Sequence, residues 1–217
     1  MASTKRTYGD RCGVARALDI VGERWALLVV RELLLGPKRF TDLRAGLPHV
    51  GPDVLAQRLR ELEASGIVRR GTLPPPAGSR IYELTERGRQ LEPVVLALGR
   101  FGSVTPFPPD EAQIGVDALV IALKTLFSPD AADELSATYE LRLGEQHFAL
   151  EVAGGRIEVA RASAQAPGAV IETDPATLAA TLWHGRDADE ARRSGDLAVT
   201  GDEQAFTRLL ELFPLPS

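Results

Sequence analysis

Apolar residues recur at spacings of three and four through the first half of the chain, and in the second half they change to alternation. From Cys12, the segment CGVARALDIVG places Val14, Leu18 and Val21 on one side of a short amphipathic helix closed by Gly22. Glu23 to Leu35, ERWALLVVRELLL, is apolar around most of its circumference, the pattern of a helix buried between neighbours, and Gly36-Pro37 stops it. The stretch from Phe40 to Leu62, FTDLRAGLPHVGPDVLAQRLREL, predicts a short helix, a tight turn and a longer helix. The longer helix carries its apolar stripe at Leu55, Leu59 and Leu62 and leaves Gln57, Arg58 and Arg60 on other faces. Pro52 suits its first position because it has no N–H to leave unpaired, Gly51 is a weaker cap than Ser or Asp, and Gly66 is a left-handed stop. Residues 40–62 alone fit a helix-turn-helix and an ordinary helical hairpin with solvated arginines equally well.

The period then changes. Ile67 to Leu73 predicts a strand, Pro74 to Ser79 (PPPAGS) a loop, and Arg80-Ile81-Tyr82-Glu83-Leu84 a returning strand that buries Ile81 or Tyr82. Two strands directly after a helical pair predict a winged helix. Arg69, Arg70 and Arg80 flank its loop, where basic side chains can reach phosphates or a narrow minor groove. Glu86 to Phe101 then predicts one helix whose stripe of Leu91, Val94, Val95, Leu98 and Phe101 needs a partner, in its own chain or in a second subunit.

Past residue 113, Ile114 to Phe127 is helical, and Ser128-Pro129-Asp130 ends it. Three alternating runs follow, Thr138–Leu143, His147–Val152 and Arg156–Val159, joined by turns at 144–146 and at Gly154-Gly155. Ala169–Thr173 and Leu197–Val199 predict two further strands. Helices are expected from Asp174 through Trp183, from Asp187 to Ser194, and from Asp202 to Phe213 with Phe206, Leu209, Leu210 and Phe213 on one side. Antiparallel strands with helices on their apolar face make an α+β domain.

Charge separates the halves. Residues 1–105 hold 17 Lys and Arg against 11 Asp and Glu, whereas residues 106–217 hold 8 against 19, an asymmetry that points the first half at a polyanion. The Pro-rich segment at 105–110 suits a semi-rigid connector, so two domains are expected, 1–105 and 110–217. A single cysteine, Cys12, excludes an intramolecular disulfide. No apolar run reaches the roughly eighteen residues of a membrane span, and Ala2 to Asp10 is polar, so no membrane insertion and a cytoplasmic location are expected. His49, His147 and His184 share no metal-ligand spacing and stand beside no nucleophile motif, and no Gly-rich phosphate loop is present. Neither an enzyme nor a cofactor is expected.

The run from Cys12 through Trp25, LLVVRELLLGPKRF, the LxxRLRELExxGIVxR pattern of Leu55 to Arg70, and Tyr82-x-Leu84-Thr85-Glu86-x-Gly88 resemble, in order, the HxlR-type winged helix-turn-helix regulators of the MarR-like fold group. The resemblance covers residues 10–102. It implies a homodimer that places one recognition helix per subunit, here 51–65, in the major groove of double-stranded DNA. It makes Pro52, Asp53, Gln57 and Arg58 groove-facing candidates, with Thr41 and Arg44 supporting and Arg80 at the wing. Gln57 could read adenine and Arg58 guanine, Arg44, Arg69, Arg70 and Arg80 could contact backbone, and Asp53 is expected to support its own helix N-terminus. Relatives that sense oxidants through a cysteine near the N-terminus make Cys12 a redox candidate, its alternative being a buried structural thiol.

The second half resembles the sterol carrier protein-like fold, most clearly at GGRIEV, in the Asp174 to Trp183 helix and at Gly195 to Gly201. That resemblance implies an apolar tunnel for a hydrophobic small molecule, with candidate lining residues Leu119, Leu123, Leu178, Leu182, Trp183, Phe206 and Leu210, each of which equally suits a filled core. The expectation is a ligand-responsive DNA-binding regulator. One alternative keeps DNA binding with a purely structural or dimerising second domain and Cys12 as sensor. Another is a lipid-binding protein whose first domain contacts protein.

Overall fold

The computed structural model describes residues 7–72, 78–105 and 114–216. The PPPA part of the predicted wing loop, the connector at 106–110 and residues 1–6 lie outside the described residues. The chain divides into two compact units, Met1–Val95 and Leu96–Ser217.

The first unit begins with α1 (Gly13–Val21), which buries Val21 but leaves Val14 69% and Leu18 40% exposed. In α2 (Ala26–Leu33), Ala26, Val29, Val30 and Leu33 enter the core together with Glu32, a carboxylate that the apolar pattern could not mark as buried. Helices α3 (Phe40–Gly46) and α4 (Pro52–Ala64) are the predicted pair. Leu55, Leu59 and Leu62 are fully buried, and truncating a leucine in such a setting costs about 2–5 kcal/mol. Helix α4 stops as its sequence predicts. Gly66 takes φ +69, its N–H bonds Glu63 O at 3.0 Å, and Ile67 N bonds Leu62 O at 2.9 Å, satisfying carbonyls that the helix end would strand.

Strands β1 (Val68–Thr72) and β2 (Arg80–Leu84) pair antiparallel from Val68↔Leu84 to Thr72↔Arg80, with Ile81 buried and Tyr82 half-buried. An isolated bridge between Lys38 and Tyr82 ties the α2–α3 connection to this hairpin. Thr85 then locks the wing to the end of α4: its hydroxyl donates to Gly66 O at 2.6 Å and accepts from Gly88 N at 3.0 Å. Gly88 has to be glycine, because a Cβ there would lie 2.2 Å from Ile67 O.

The single helix predicted over 86–101 is two. Helix α5 (Glu86–Arg89) ends in a turn at Gln90-Leu91, and α6 (Glu92–Ser103) begins anew across the division between the units. Pro93 explains the break, since its ring would clash with the carbonyl four residues earlier in a continuous helix but is tolerated in a first turn. Val95 is buried in α6, while Val94, Leu98 and Phe101 are exposed, Phe101 to 76%.

In the second unit the chain runs α7 (Val116–Leu126), α8 (Pro129–Ala132), β3 (Ala137–Leu143), β4 (Gln146–Ala153), β5 (Arg156–Ala160), β6 (Ala169–Thr173), α9 (Pro175–Trp183), α10 (Ala188–Arg193), β7 (Leu197–Gly201) and α11 (Glu203–Leu210). Helix α7 ends before Ser128, as expected, and Ser128 also opens α8 by accepting from Ala131 N at 3.1 Å. The strands form one sheet in the order β5-β4-β3-β6-β7. Three pairs are antiparallel and β3–β6 is parallel, so the sheet is mixed. Alternation reports which face a side chain takes but not strand direction, and the connection through 161–168 sets that direction. Tyr139, Leu141, Leu143, Phe148, Leu150, Val152 and Ile171 are buried in this sheet, and leucines of α7, α9 and α11 pack with Tyr139, Leu141, Leu150 and Ile171. Asp174, Asp187 and Asp202 cap α9, α10 and α11 through side-chain bonds to backbone N–H groups, as their positions at the helix starts predict.

Candidate functional site

Because α4 buries Leu55, Leu59 and Leu62, its remaining circumference faces outward. Pro52, Asp53 and Gln57 are exposed there, as are Thr41 and Arg44 on α3. The turn between the helices is held by Leu47 and Val50, both buried, with Val50 N bonded to Leu47 O at 3.1 Å. Gly51 is the N-cap of α4 with extended backbone and no side chain to cap with, and Asp53 sits in the first turn, where its charge complements the helix dipole.

Arg58 is placed differently from its neighbours. Its side chain is 12% exposed, its guanidinium bonds Glu61, and Nη1 lies 3.7 Å from Glu23 Oε2. Gln57 is engaged on the outer face, donating to Glu61 Oε1 at 2.7 Å and accepting from Arg60 Nη2 at 2.6 Å. In an amide so held, both ends are already oriented.

On the hairpin, Arg69 bonds Glu83 Oε1 at 2.9 Å. Arg70 pairs with Glu63 Oε2 at 3.1 Å and lies over the Tyr82 ring. Arg80 is exposed at the last paired position before the loop and makes no ion pair among the described residues. Beneath the hairpin, Glu32 Oε2 accepts from Lys38 Nζ at 2.6 Å and Glu32 Oε1 from Arg31 Nη2 at 2.8 Å. Lys38 N and O both bond Tyr82, at 3.0 and 2.8 Å. Sequence reasoning missed this anchor, whose signal is an acid beside Arg31 within a run that is mostly apolar. Cys12 is exposed at the N-cap of α1, and its N–H bonds Asp10 Oδ1 at 2.9 Å.

In the second unit a small apolar cavity of about 10 Å³ lies among Leu123, Tyr139, Leu141, Leu150, Ile171, Leu178, Leu182, Leu209 and Phe213. That volume takes about one water molecule, whereas sites for drug-sized ligands span roughly 300–1,000 Å³. Of the seven residues put forward from sequence, Leu123, Leu178 and Leu182 meet there. Leu119 is buried elsewhere in α7, Leu210 is half-buried, Phe206 lies beneath the Arg192 guanidinium, and Trp183 Nε1 donates to Phe213 O at 2.9 Å.

The one phenol in the lining, Tyr139, was also missed. Its ring is fully buried, its hydroxyl has no hydrogen-bond partner among the described residues, and burial pushes its pKa up, with Arg208 opposing that rise and Asp202 adding to it. Alternation placed Tyr139 in a strand but could not show an unsatisfied oxygen.

On the opposite face of the sheet, Glu140 is buried. The Arg142 guanidinium holds its carboxyl below the usual range against the opposing effect of burial, and the Ala164 N–H and His147 assist. His147 Nδ1 lies 3.1 Å from Glu140 Oε1. No group of three or more His, Cys, Asp and Glu residues is placed to hold a metal among the described residues. None of the described helices is long and apolar enough to cross a membrane.

A family model described as HxlR-like helix-turn-helix matches residues 20–106, and one described as the SCP-2 sterol transfer family matches residues 122–214. The chain is 36% identical over 88 residues to the uncharacterized HTH-type transcriptional regulator YvaP of Bacillus subtilis, an alignment covering 41% of this chain and 82% of the relative. It is 37% identical over 95 residues to the uncharacterized HTH-type transcriptional regulator sll1512 of Synechocystis sp., covering 44% of this chain and 70% of the relative. Among solved structures, the redox regulator HypR in its oxidized form is 37% identical, with a TM-score of 0.40 over 45% of this chain and 100% of that one.

Proposed function

Because the chain belongs to the HxlR-like helix-turn-helix family and ends in an SCP-2-type domain, we propose that it binds double-stranded DNA as a homodimer under the control of a small hydrophobic molecule. The observation that carries the DNA reading is the outward face of α3 and α4, with Thr41, Arg44, Pro52, Asp53 and Gln57 exposed beside a hairpin bearing Arg69, Arg70 and Arg80. In this reading α4 enters the major groove and Gln57 exchanges its intrahelical partners for an adenine edge. Arg44 and Arg80 bind phosphates, a contribution without sequence information that weakens with salt. Arg69 and Arg70 reach the backbone only by leaving Glu83 and Glu63, and Arg58, engaged by Glu61, positions the helix instead of reading a base.

The dimer contact runs through the apolar residues that α6 leaves exposed, Val94, Leu98 and Phe101. The DNA-binding domain is 1–105, the ligand domain is 110–217, and the protein acts in the cytoplasm, where its DNA is. For a ligand to control DNA binding it must bind the two states of the protein with unequal affinity, and the cavity must widen to admit it.

A second reading is favoured by the size of that cavity. The second domain would then be a filled structural module, and the exposed Cys12 would carry the signal. Mobility shift of DNA from the upstream region of the protein's own gene tests the common part. Retarded bands at low salt are expected, and no shift with any upstream fragment would remove the regulator reading in favour of a lipid-binding protein. Release of the DNA by a hydrophobic compound, but not by diamide, selects the first reading over the second.

A further inference from the structure

One edge of the second unit's sheet is complementary to a copy of itself. Strand β5 is outermost, and it pairs with β4 residue for residue from Ala153↔Arg156 to Ala149↔Ala160, without a bulge. Gly154 and Gly155, with φ +56 and +69, form the two-residue turn between the strands, and such a turn bonds Arg156 N back to Ala153 O. Antiparallel pairs alternate between bonded and non-bonded, so Arg156, Glu158 and Ala160 bond β4 while the main-chain groups of Ile157 and Val159 point outward. Those outward groups have no partner among the described residues. The Ile157 and Val159 side chains, on the face of buried Leu150 and Val152, remain half-buried. Arg156 and Glu158 are exposed on the other face and make no ion pair among the described residues. Glu158 stands directly opposite Glu151, also exposed, whereas Arg156 stands opposite Ala153. Like charges directly opposed are destabilising, so the edge holds a carboxylate pair that lacks a cation and a cation that lacks a carboxylate.

We propose that β5 pairs antiparallel with β5 of a second copy of this chain, joining the two sheets edge to edge with Ile157 of each copy opposite Ile157 of the other. In that register Arg156 of one copy stands opposite Glu158 of the other, and the same pair recurs across the two-fold axis. Each arginine thereby supplies the cation that the Glu151–Glu158 pair lacks. The outward N–H and C=O of the two Ile157 residues exchange two hydrogen bonds, and their half-buried side chains meet on the apolar face. A register centred on Glu158 would oppose two carboxylates, and one centred on Val159 would set Glu158 against Ala160, so the charges select the first. Lysine, proline or a bulge commonly blunts an exposed edge, and β5 has none of them. The other edge, β7, carries no charged residue that could set a register. Two exposed ion pairs and one short strand pair hold little alone, so the junction forms between chains that are already held together and meet at a high effective concentration. It rests on the reading that the chain is a homodimer, and it gives the second unit a part in that dimer.

The test uses full-length chains with Cys12→Ser, one carrying Arg156→Cys and the other Glu158→Cys, expressed separately and together and then oxidised mildly. Both positions are exposed, so neither change disturbs the core. In the proposed register, positions 156 and 158 of opposite chains form a non-bonded pair with Cα atoms about 4.5 Å apart, within disulfide reach. Identical positions are diagonal neighbours at roughly 7–8 Å, beyond that reach. The co-expressed chains should therefore yield a disulfide-linked mixed dimer on a non-reducing gel, and each variant alone should lose most of that product. Linkage by either variant alone as readily as by the mixture would overturn the junction and leave the homodimer reading standing. So would the absence of linkage in a mixture that sedimentation shows to be dimeric. Sedimentation of the same sample as a monomer would instead remove the homodimer reading, and the junction with it.

Discussion

Replacing Glu32 by glutamine should loosen the wing without touching it. The Glu32 carboxylate is 2% exposed and is shared by Arg31 and Lys38, whose side chains are 21% and 14% exposed. The Glu32→Gln change would keep the shape but leave two partly buried cations facing a neutral amide. Removing one member of a fully buried pair costs about 3–5 kcal/mol, and the residual exposure of both cations lowers this to about 2–3 kcal/mol. A unit of this size loses about 4–8 °C per kcal/mol, which predicts a fall of roughly 10–20 °C in its melting transition. There is little room to compensate by movement, since a Cβ on Gly46 would already lie 2.1 Å from Glu32 Oε2, which shows how closely the end of α3 meets the carboxylate. Lys38 also bridges Tyr82 through its backbone, so the same change should weaken DNA binding by mobilising the hairpin. Differential scanning calorimetry of Glu32→Gln, Lys38→Met and the double variant measures the coupling. A coupling of about 1–2 kcal/mol is expected for groups in contact. A melting transition within about 2 °C of wild type, or strictly additive losses, would refute the role given to this cluster.

Three further outcomes follow from other residues. Arg44→Ala and Arg80→Ala should each reduce the slope of log K against log salt by about 0.9 and weaken all DNA sequences alike, as measured by fluorescence anisotropy, whereas Gln57→Ala should relax preference at one base position. Phe101→Asp places a charge on the exposed apolar face of α6 and should shift sedimentation from dimer to monomer, with an unchanged dimer counting against that interface. Because Arg142 keeps the Glu140 pKa below its unfolded value, this carboxylate's contribution is complete above about pH 4.3 and is lost as pH falls through and below that value. The second unit should therefore hold constant stability from about pH 7 to about pH 5 and weaken in acid, and Glu140→Gln should flatten that acid limb in urea titrations followed at different pH values.

The readable parts of this chain are those where one residue type has one physical outcome. Leu55, Leu59 and Leu62 could only be the buried stripe of α4, Gly66 could only be its stop, and Asp174 before an apolar helix could only be a cap. The parts that stayed hidden depend on where side chains point once neighbours are in place. Arg58 sits one position from Gln57, and only the position of Glu23 and Glu61 decides that its guanidinium is held back on the protein. Glu32 lies in a stretch that pattern reading treats as apolar, and its burial depends on Lys38 and Arg31 arriving from either side. The direction of β6 relative to β3 was beyond alternation, which is blind to chain sense. So was the volume among Leu123, Leu178 and Leu182, because a stripe of leucines looks the same around a filled core and around a space.

Guanine-methylation interference on the upstream region, with full-length protein at low salt, tests the central claim most directly, since N7 lies on the floor of the major groove. Two copies placing α4 in the major groove predict two interference clusters separated by about 34 Å or a multiple of it. Binding without interference, or with a single cluster only, would contradict the claim.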